Sequence, residues 1–255
     1  MFFAGLVHNN ENKFVLVRKN MNDSQKNFKS PPKKYQPSGL SILYEDRDIL
    51  VVDKISGLLT IATDKIKENT AHYLLNNYVK KGVDKSKNRV YIVHRLDRDT
   101  SGVLVFAKSE TAKSYLQNEW KNFSKKYYAV VIGTLDEKEG IISSYLVENK
   151  MHKMYSTKDS KKGKLAKTGY KVLKENTKYS FLEIDLLTGR KNQIRVHFAD
   201  KGCPVAGDNL YGIKDRYIKR LTLHAGFITI THPHTKEKMT FEAKVPAYFG
   251  SFVKI

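Results

Sequence analysis

The sequence predicts an α+β fold, a mixed and largely antiparallel sheet carrying a few packed helices. Strand-like runs outnumber helix-like ones, many follow one another across short turns, and no repeat of fixed period interrupts them. With 255 residues, the chain can bury roughly three quarters of its unfolded surface. An apolar content of 40%, with 12 Phe and 15 Tyr, supplies the core.

Residues 2–7 and 13–18 are short apolar runs around a polar turn, spaced for a hairpin. Residues 18–37 are polar, basic and proline-containing, which predicts a mobile linker. Residues 1–39 are therefore expected to be a short hairpin and basic linker ahead of one domain over 40–255. That domain opens with two strands, SILYED and DILVVDK. Ala71, Leu74, Leu75 and Tyr78 have the spacing of a helix over 70–80. VYIV at 90–93 and GVLVFAK at 102–108 are β-branched, apolar strands, so HRLDRDTS between them must be a loop. Ser109 caps an amphipathic helix over 109–123. Strands follow at 125–133, 141–147, 166–174 and 179–187, then a helix over 190–202 that stops at Gly202. LTLHAGFITITH and KMTFEAKV close the chain as strands around a Pro-His-Thr turn.

The charge balance narrows the choice of partner. Lys and Arg total 46 against 26 acids, a net charge of +20, which favours a polyanion: nucleic acid ahead of an anionic membrane. The Lys-rich stretch 150–171, with Lys161, Lys162 and Lys164, is opposed only by Asp159 and is the leading candidate contact surface. A solvated hairpin tip is its plainer alternative. A single cysteine, Cys203, excludes an intrachain disulfide framework and a Cys-rich zinc site, and fits a reducing cytoplasm. The N-terminus lacks the basic start and apolar length of a signal peptide, and no run reaches the ~18 apolar residues of a membrane span. Thr231-His232-Pro233-His234 reads as a polar turn, so no metal site is expected.

Two segments concentrate reactive side chains. His94-Arg95-Leu96-Asp97-Arg98-Asp99-Thr100-Ser101-Gly102 sets carboxylates, guanidiniums and hydroxyls in a loop between two hydrophobic strands. As a two-carboxylate pair, Asp97 and Asp99 are poorly disposed, because residues two apart on one loop rarely face each other. Leu187 to His197 runs from a strand through Thr188-Gly189 into a basic helix start, where free amides favour anions. Arg190, Gln193 and His197 are spaced to share a face, with Arg195 elsewhere. A polar turn and a capped surface helix are the bland readings of the two.

HRLDRDTSG followed by GVLVFAKS resembles the signature of the RluA-type pseudouridine synthases. ILYEDRDILVVDK, KKYYAVVIG, LLTGRKNQIRVHFADKGCPVAGDNLYG and LHAGFITITHP appear in that family's order, and the likeness covers roughly residues 41–248. It implies the pseudouridine synthase fold and a cofactor-free isomerisation of uridine in structured RNA, ribosomal or transfer, by a monomer. Asp97 matches the family's catalytic aspartate, Arg195 the arginine that pairs with it, and Tyr127 the active-site tyrosine near the target base. Arg95 matches an arginine that contacts RNA, while Arg190, Gln193 and Ile194 fall in the same RNA-facing motif. Lys54-Ile55-Ser56-Gly57 departs from the usual K-P-x-G, and Asn192-Gln193 from the usual His-Gln. A non-catalytic RNA-binding protein on this fold is the rival reading, and the intact Asp97 argues against it.

Overall fold

The structure, a computed structural model, describes residues 25, 27–213 and 215–254. The hairpin expected over residues 2–18 lies outside them. The described residues form eleven strands: β1 (Leu40–Glu45), β2 (Ile49–Lys54), β3 (Tyr91–Ile92), β4 (Ser101–Ala107), β5 (Ser124–Ile132), β6 (Glu139–Glu148), β7 (Met154–Thr157), β8 (Lys164–Glu175), β9 (Tyr179–Leu186), β10 (Leu223–Thr231) and β11 (Lys238–Glu242). They form one sheet in the order β1-β2-β4-β10-β5-β9-β8-β6-β7, with β11 also on β10 and β3 also on β4. Every pairing is antiparallel except β4 with β10. Among the described residues the helices α1 (Ala71–Lys80), α2 (Glu110–Asn118) and α3 (Gln193–Asp200) accompany this sheet.

Strand β4 shows how composition sets position. All seven of its residues are buried, with Val103, Val105 and Ala107 in one apolar cluster and Leu104 and Phe106 in another. A strand covered on both faces reads as a continuous apolar run, and each such side chain contributes roughly 1.5–3 kcal/mol on burial. Gly102 sits at φ 114°, where a Cβ would collide with the carbonyl of Ala225 on β10. Glycine thus lets β4 meet β10 directly after the HRLDRDTS loop.

Ser109 caps its helix as expected, accepting from Ala112 N, and Thr70 likewise accepts from Tyr73 N. Helix α2 ends at Asn118, five residues early, because the chain turns at Glu119–Asn122 to lay Trp120 against His94. VYIV shrinks to the two-residue β3, although Val90 and Val93 remain buried. The expected linker is not free over its described part. Phe28 packs against the core, Ser30 Oγ donates to Ile42 O, and the Gln36 amide bridges Pro31 O and Ile42 N. Side-chain hydrogen bonds to edge strand β1 hold a segment whose composition alone indicated mobility. The Lys-rich stretch also conceals a strand, β7, and its charges border a sheet edge.

Candidate active site

A cavity of about 410 Å³ opens between the 93–100 loop, strand β5 and the β9–α3 turn. Asp97 lies on its wall with its side chain 29% exposed. The loop that carries it is held from below by residues 54–60. Lys54 is fully buried, and its ammonium donates to the carbonyls of Ile55, Leu58 and Arg98 at 3.0, 2.8 and 3.1 Å. Burial lowers the Lys54 pKa to about 8, against the pull of Asp99, Asp97 and Asp53. Thr60 Oγ1 donates to Leu96 O and accepts from Leu96 N, while Gly57 N donates to Arg98 O. Ser101 Oγ meets His224 Nδ1 at 2.8 Å, tying the far end of the loop to β10. Asp97 is therefore presented by an anchored turn.

His94 serves the scaffold. Its Nε2 accepts from Val105 N at 3.0 Å and its ring stacks on Trp120 with centroids 4.3 Å apart. Burial, and then the charge of Lys125, push its pKa down to about 3. Tyr127 projects from β5 into the cavity, partly exposed, between two apolar clusters. Burial first, and Asp97 second, raise its phenol above the usual range, so it stays protonated at neutral pH.

Arg195 reaches Asp97 but grips a second carboxylate more closely. Its Nη1 approaches Asp97 Oδ2 at 3.5 Å, but its Nε and Nη2 donate to Asp208 Oδ2 and Oδ1, both at 2.7 Å. The two-pronged partner of Arg195 is thus Asp208, whose side chain has no exposure. Burial opposes both charges. The bonds and charge of Asp208 outweigh it and raise the Arg195 pKa, and those of Arg195, with the N–H groups of Tyr211 and Leu210, lower that of Asp208. The Tyr211 ring lies 5.1 Å from the Arg195 guanidinium.

Asn192 opens α3 with φ at 52°, and its side chain does not cap the helix. With its amide nitrogen toward Asp97, it donates to Oδ2 at 2.8 Å and Oδ1 at 3.3 Å, while its oxygen accepts from Tyr211 OH at 3.1 Å. The opposite orientation would give Asn192 Oδ1 a 3.5 Å contact from Arg195 Nη1 and Nδ2 a 3.1 Å bond to Tyr211 OH, but would set Oδ1 against the Asp97 carboxylate. With the nitrogen toward Asp97, the bond from Asn192 is shorter than the 3.5 Å approach of Arg195.

The other predicted residues divide. Arg95 and Arg190 are exposed on the cavity wall, and Arg190 Nε donates to Leu165 O. Gln193 and Ile194 also line it, but they are only 2% and 4% exposed. The Gln193 amide is consumed by Thr188 Oγ1, Arg190 N, Lys167 O and Thr168 Oγ1, so it braces the turn and is not free to meet RNA. Arg190 precedes α3, so it does not share a helical face with Gln193 and His197. His197 is buried on Thr168 and Ser144. Lys161, Lys162 and Lys164 are exposed around the β7–β8 turn and do not line the cavity. Asp208, Asn192 and Tyr211 escaped sequence reasoning. A signal was available in Gly207, whose φ of 76° and approach to Arg220 O mark a forced turn just before Asp208.

Asp46, Asp48 and His232 cluster as metal ligands would. The Asp46 carboxylate, however, already accepts from Tyr44 OH, Asp48 N, Ile49 N and His232 Nε2. His232 Nδ1 in turn accepts from His234 N and Thr235 N. The Asp46 carboxylate and the His232 ring are thus bonded within the protein.

The chain is similar to known proteins. The RNA pseudouridylate synthase family profile matches residues 48–200. The chain is 37% identical over 212 residues to the RNA pseudouridine synthase YhcT of Bacillus subtilis, covering 82% of this chain and 69% of that one. It is 35% identical over 219 residues to the ribosomal large subunit pseudouridine synthase D of Nitrosomonas europaea, covering 81% and 62%. Its fold superposes on human RNA pseudouridylate synthase domain containing 4 with a TM-score of 0.68 at 23% identity, covering 82% and 89%. The chain belongs to the RNA pseudouridylate synthase family. It is an isomerase that acts on RNA.

Proposed function

We propose that this enzyme isomerises a uridine in structured ribosomal RNA, with Asp97 as the reacting carboxylate. The observation that carries the reading is the placement of Asp97. It is the acid on the wall of an open cavity, beside Tyr127 and Arg195, on a loop anchored by Lys54 and Thr60. A ribosomal target is supported by the relative named for the large ribosomal subunit.

Pseudouridine formation breaks the N-glycosidic bond, turns the uracil and joins C5 to the ribose, with no net oxidation. A carboxylate that attacks the sugar or the base, or removes a ribose proton, assists the first step. The base must leave its stack to enter the cavity, at a cost of a few kcal/mol. Stacking on Tyr127 returns roughly 1–3 kcal/mol of this. Asp208 fixes the Arg195 guanidinium, whose free Nη1 faces Asp97 and the space beside it.

Arg95 and Arg190 at the cavity mouth hold the phosphates next to the flipped nucleotide. Beyond them, the backbone follows Lys161, Lys162 and Lys164 on one side. On the other side lies a second groove, of about 560 Å³, lined by Lys80, Lys87 and Arg89 and adjoining the cavity through Ile92 and Val93.

The test is tritium release from an unmodified large-subunit ribosomal RNA transcript labelled at uridine C5. The wild-type protein is expected to release label over many turnovers. Asp97→Asn is expected to bind the RNA within about tenfold of wild type and to release none, since the amide keeps the shape and loses the charge. Multiple turnover by purified Asp97→Asn would overturn the assignment.

A further inference from the structure

We infer that Asn192 and Tyr211 form a positioning relay that aims the Asp97 carboxylate and ties it to the basic hairpin β6–β7–β8. The inference rests on Asp97 being the reacting group. Asn192 stands at the start of α3, where asparagine ordinarily turns its side-chain oxygen onto the first helical amides. Here it does not cap. Asn192 also occupies left-handed backbone space, which costs energy in a residue with a Cβ. Both departures serve one result, an amide that spans the gap between Asp97 and Tyr211.

The donors then run in one direction. Met154 N, the first amide of β7, donates to Tyr211 OH at 3.0 Å. Tyr211 OH donates to Asn192 Oδ1, and Asn192 Nδ2 donates to Asp97. Each donor polarises the next, so the last bond to the carboxylate strengthens when the first is made. The Tyr211 ring is fixed independently. Its backbone amide donates to Asp208 Oδ1, and the Arg195 guanidinium and Lys153 ammonium each lie 5.1 Å from its centre. Lys153 belongs to the same basic stretch as Lys161, Lys162 and Lys164. Docking of that hairpin is thereby linked to the orientation of Asp97 through a single phenol.

Two substitutions separate the relay from the scaffold. Asn192→Gly removes the amide while tolerating φ of 52° better than asparagine does. Tyr211→Phe removes the hydroxyl and keeps the ring against Arg195. In single-turnover tritium release at saturating enzyme, on the C5-labelled large-subunit ribosomal RNA transcript, Asn192→Gly should slow the reaction about tenfold or more. Tyr211→Phe should slow it less. Their combination should be no slower than Asn192→Gly alone, because both act through one chain of bonds. RNA affinity should stay within about twofold, as neither change removes a group that meets a phosphate. Wild-type rates in both single variants, or a combined loss equal to the product of the two, would overturn the relay.

A wild-type protein silent on that transcript would count against the proposed substrate and leave the relay to a second measurement, which needs no RNA. By nuclear magnetic resonance on the free protein, the Asn192 side-chain amide should be ordered in wild type and become mobile in Tyr211→Phe. Equal order in the two proteins would contradict the relay whatever the substrate proves to be.

Discussion

Asp97 and Asp208 flank the same guanidinium from two different loops. The Asp208 turn is closed: the carboxylate has no exposure, takes two 2.7 Å bonds from Arg195, and accepts the amides of Leu210 and Tyr211. The Asp97 loop is rigid in its backbone yet leaves its carboxylate 29% exposed to the cavity, with a long 3.5 Å approach from Arg195. One acid has its bonding capacity filled by protein, and the other keeps part of it for a ligand. The difference supports the proposed roles, Asp208 in structure and Asp97 in chemistry. It also shows why Arg195 must be arginine. A planar fork can grip Asp208 along one edge and leave Nη1 facing Asp97, whereas a lysine ammonium has no second edge.

The largest effect on stability is expected at the closed turn. Asp208→Asn leaves a guanidinium that is 12% exposed without its two-pronged partner and should cost about 3–5 kcal/mol, seen as a lower denaturation midpoint. A loss below about 1 kcal/mol would mean that Asp97 can replace Asp208. A smaller effect is expected at the hairpin. Replacing Lys161, Lys162 and Lys164 with Gln should reduce the log–log salt slope of RNA binding by about 0.7–0.9 for each phosphate that is no longer neutralised. The single-turnover rate at saturation should not change. An identical slope would place the hairpin away from RNA and shift attention to the groove lined by Lys80, Lys87 and Arg89.

A further effect is on pH dependence. His224 bridges the end of the Asp97 loop to Ala243 and is 1% exposed; burial lowers its pKa to about 4, against the bond to Ala243. The unfolded state then takes up its proton first, near pH 6.5. The stability contributed by a neutral His224 is present above that pH and is lost as pH falls toward 4, amounting to about 3 kcal/mol. Ring resonances of His224 that titrate near pH 6.5 in the folded protein would contradict this.

Much of the sheet was legible because it rests on local patterns. β4 is a continuous apolar run, and Thr70 and Ser109 carry their caps in the residue before the helix. Boundaries failed where tertiary packing overrode the pattern. Trp120 and Phe123 continue the apolar periodicity of α2, but they serve the turn behind His94 and the core. In the site, Asp97, Tyr127, Arg95, Arg190 and Arg195 do converge on one cavity. The choice of partner for Arg195 was not legible. Asp208 lies 13 residues along the chain and meets Arg195 only after the turn at Gly207 brings it back. The bracing role of Gln193 was hidden too, because its helical position says nothing of the four groups that surround its amide.

The most direct test sets the two acids side by side, with single-turnover tritium release at saturating enzyme and the denaturation midpoint measured on the same preparations. Asp97→Asn should keep the wild-type midpoint and lose the reaction. Asp208→Asn should lose stability and retain a measurable rate at a temperature where it is folded. An active Asp97→Asn beside a folded but inert Asp208→Asn would contradict the division of labour between the two carboxylates.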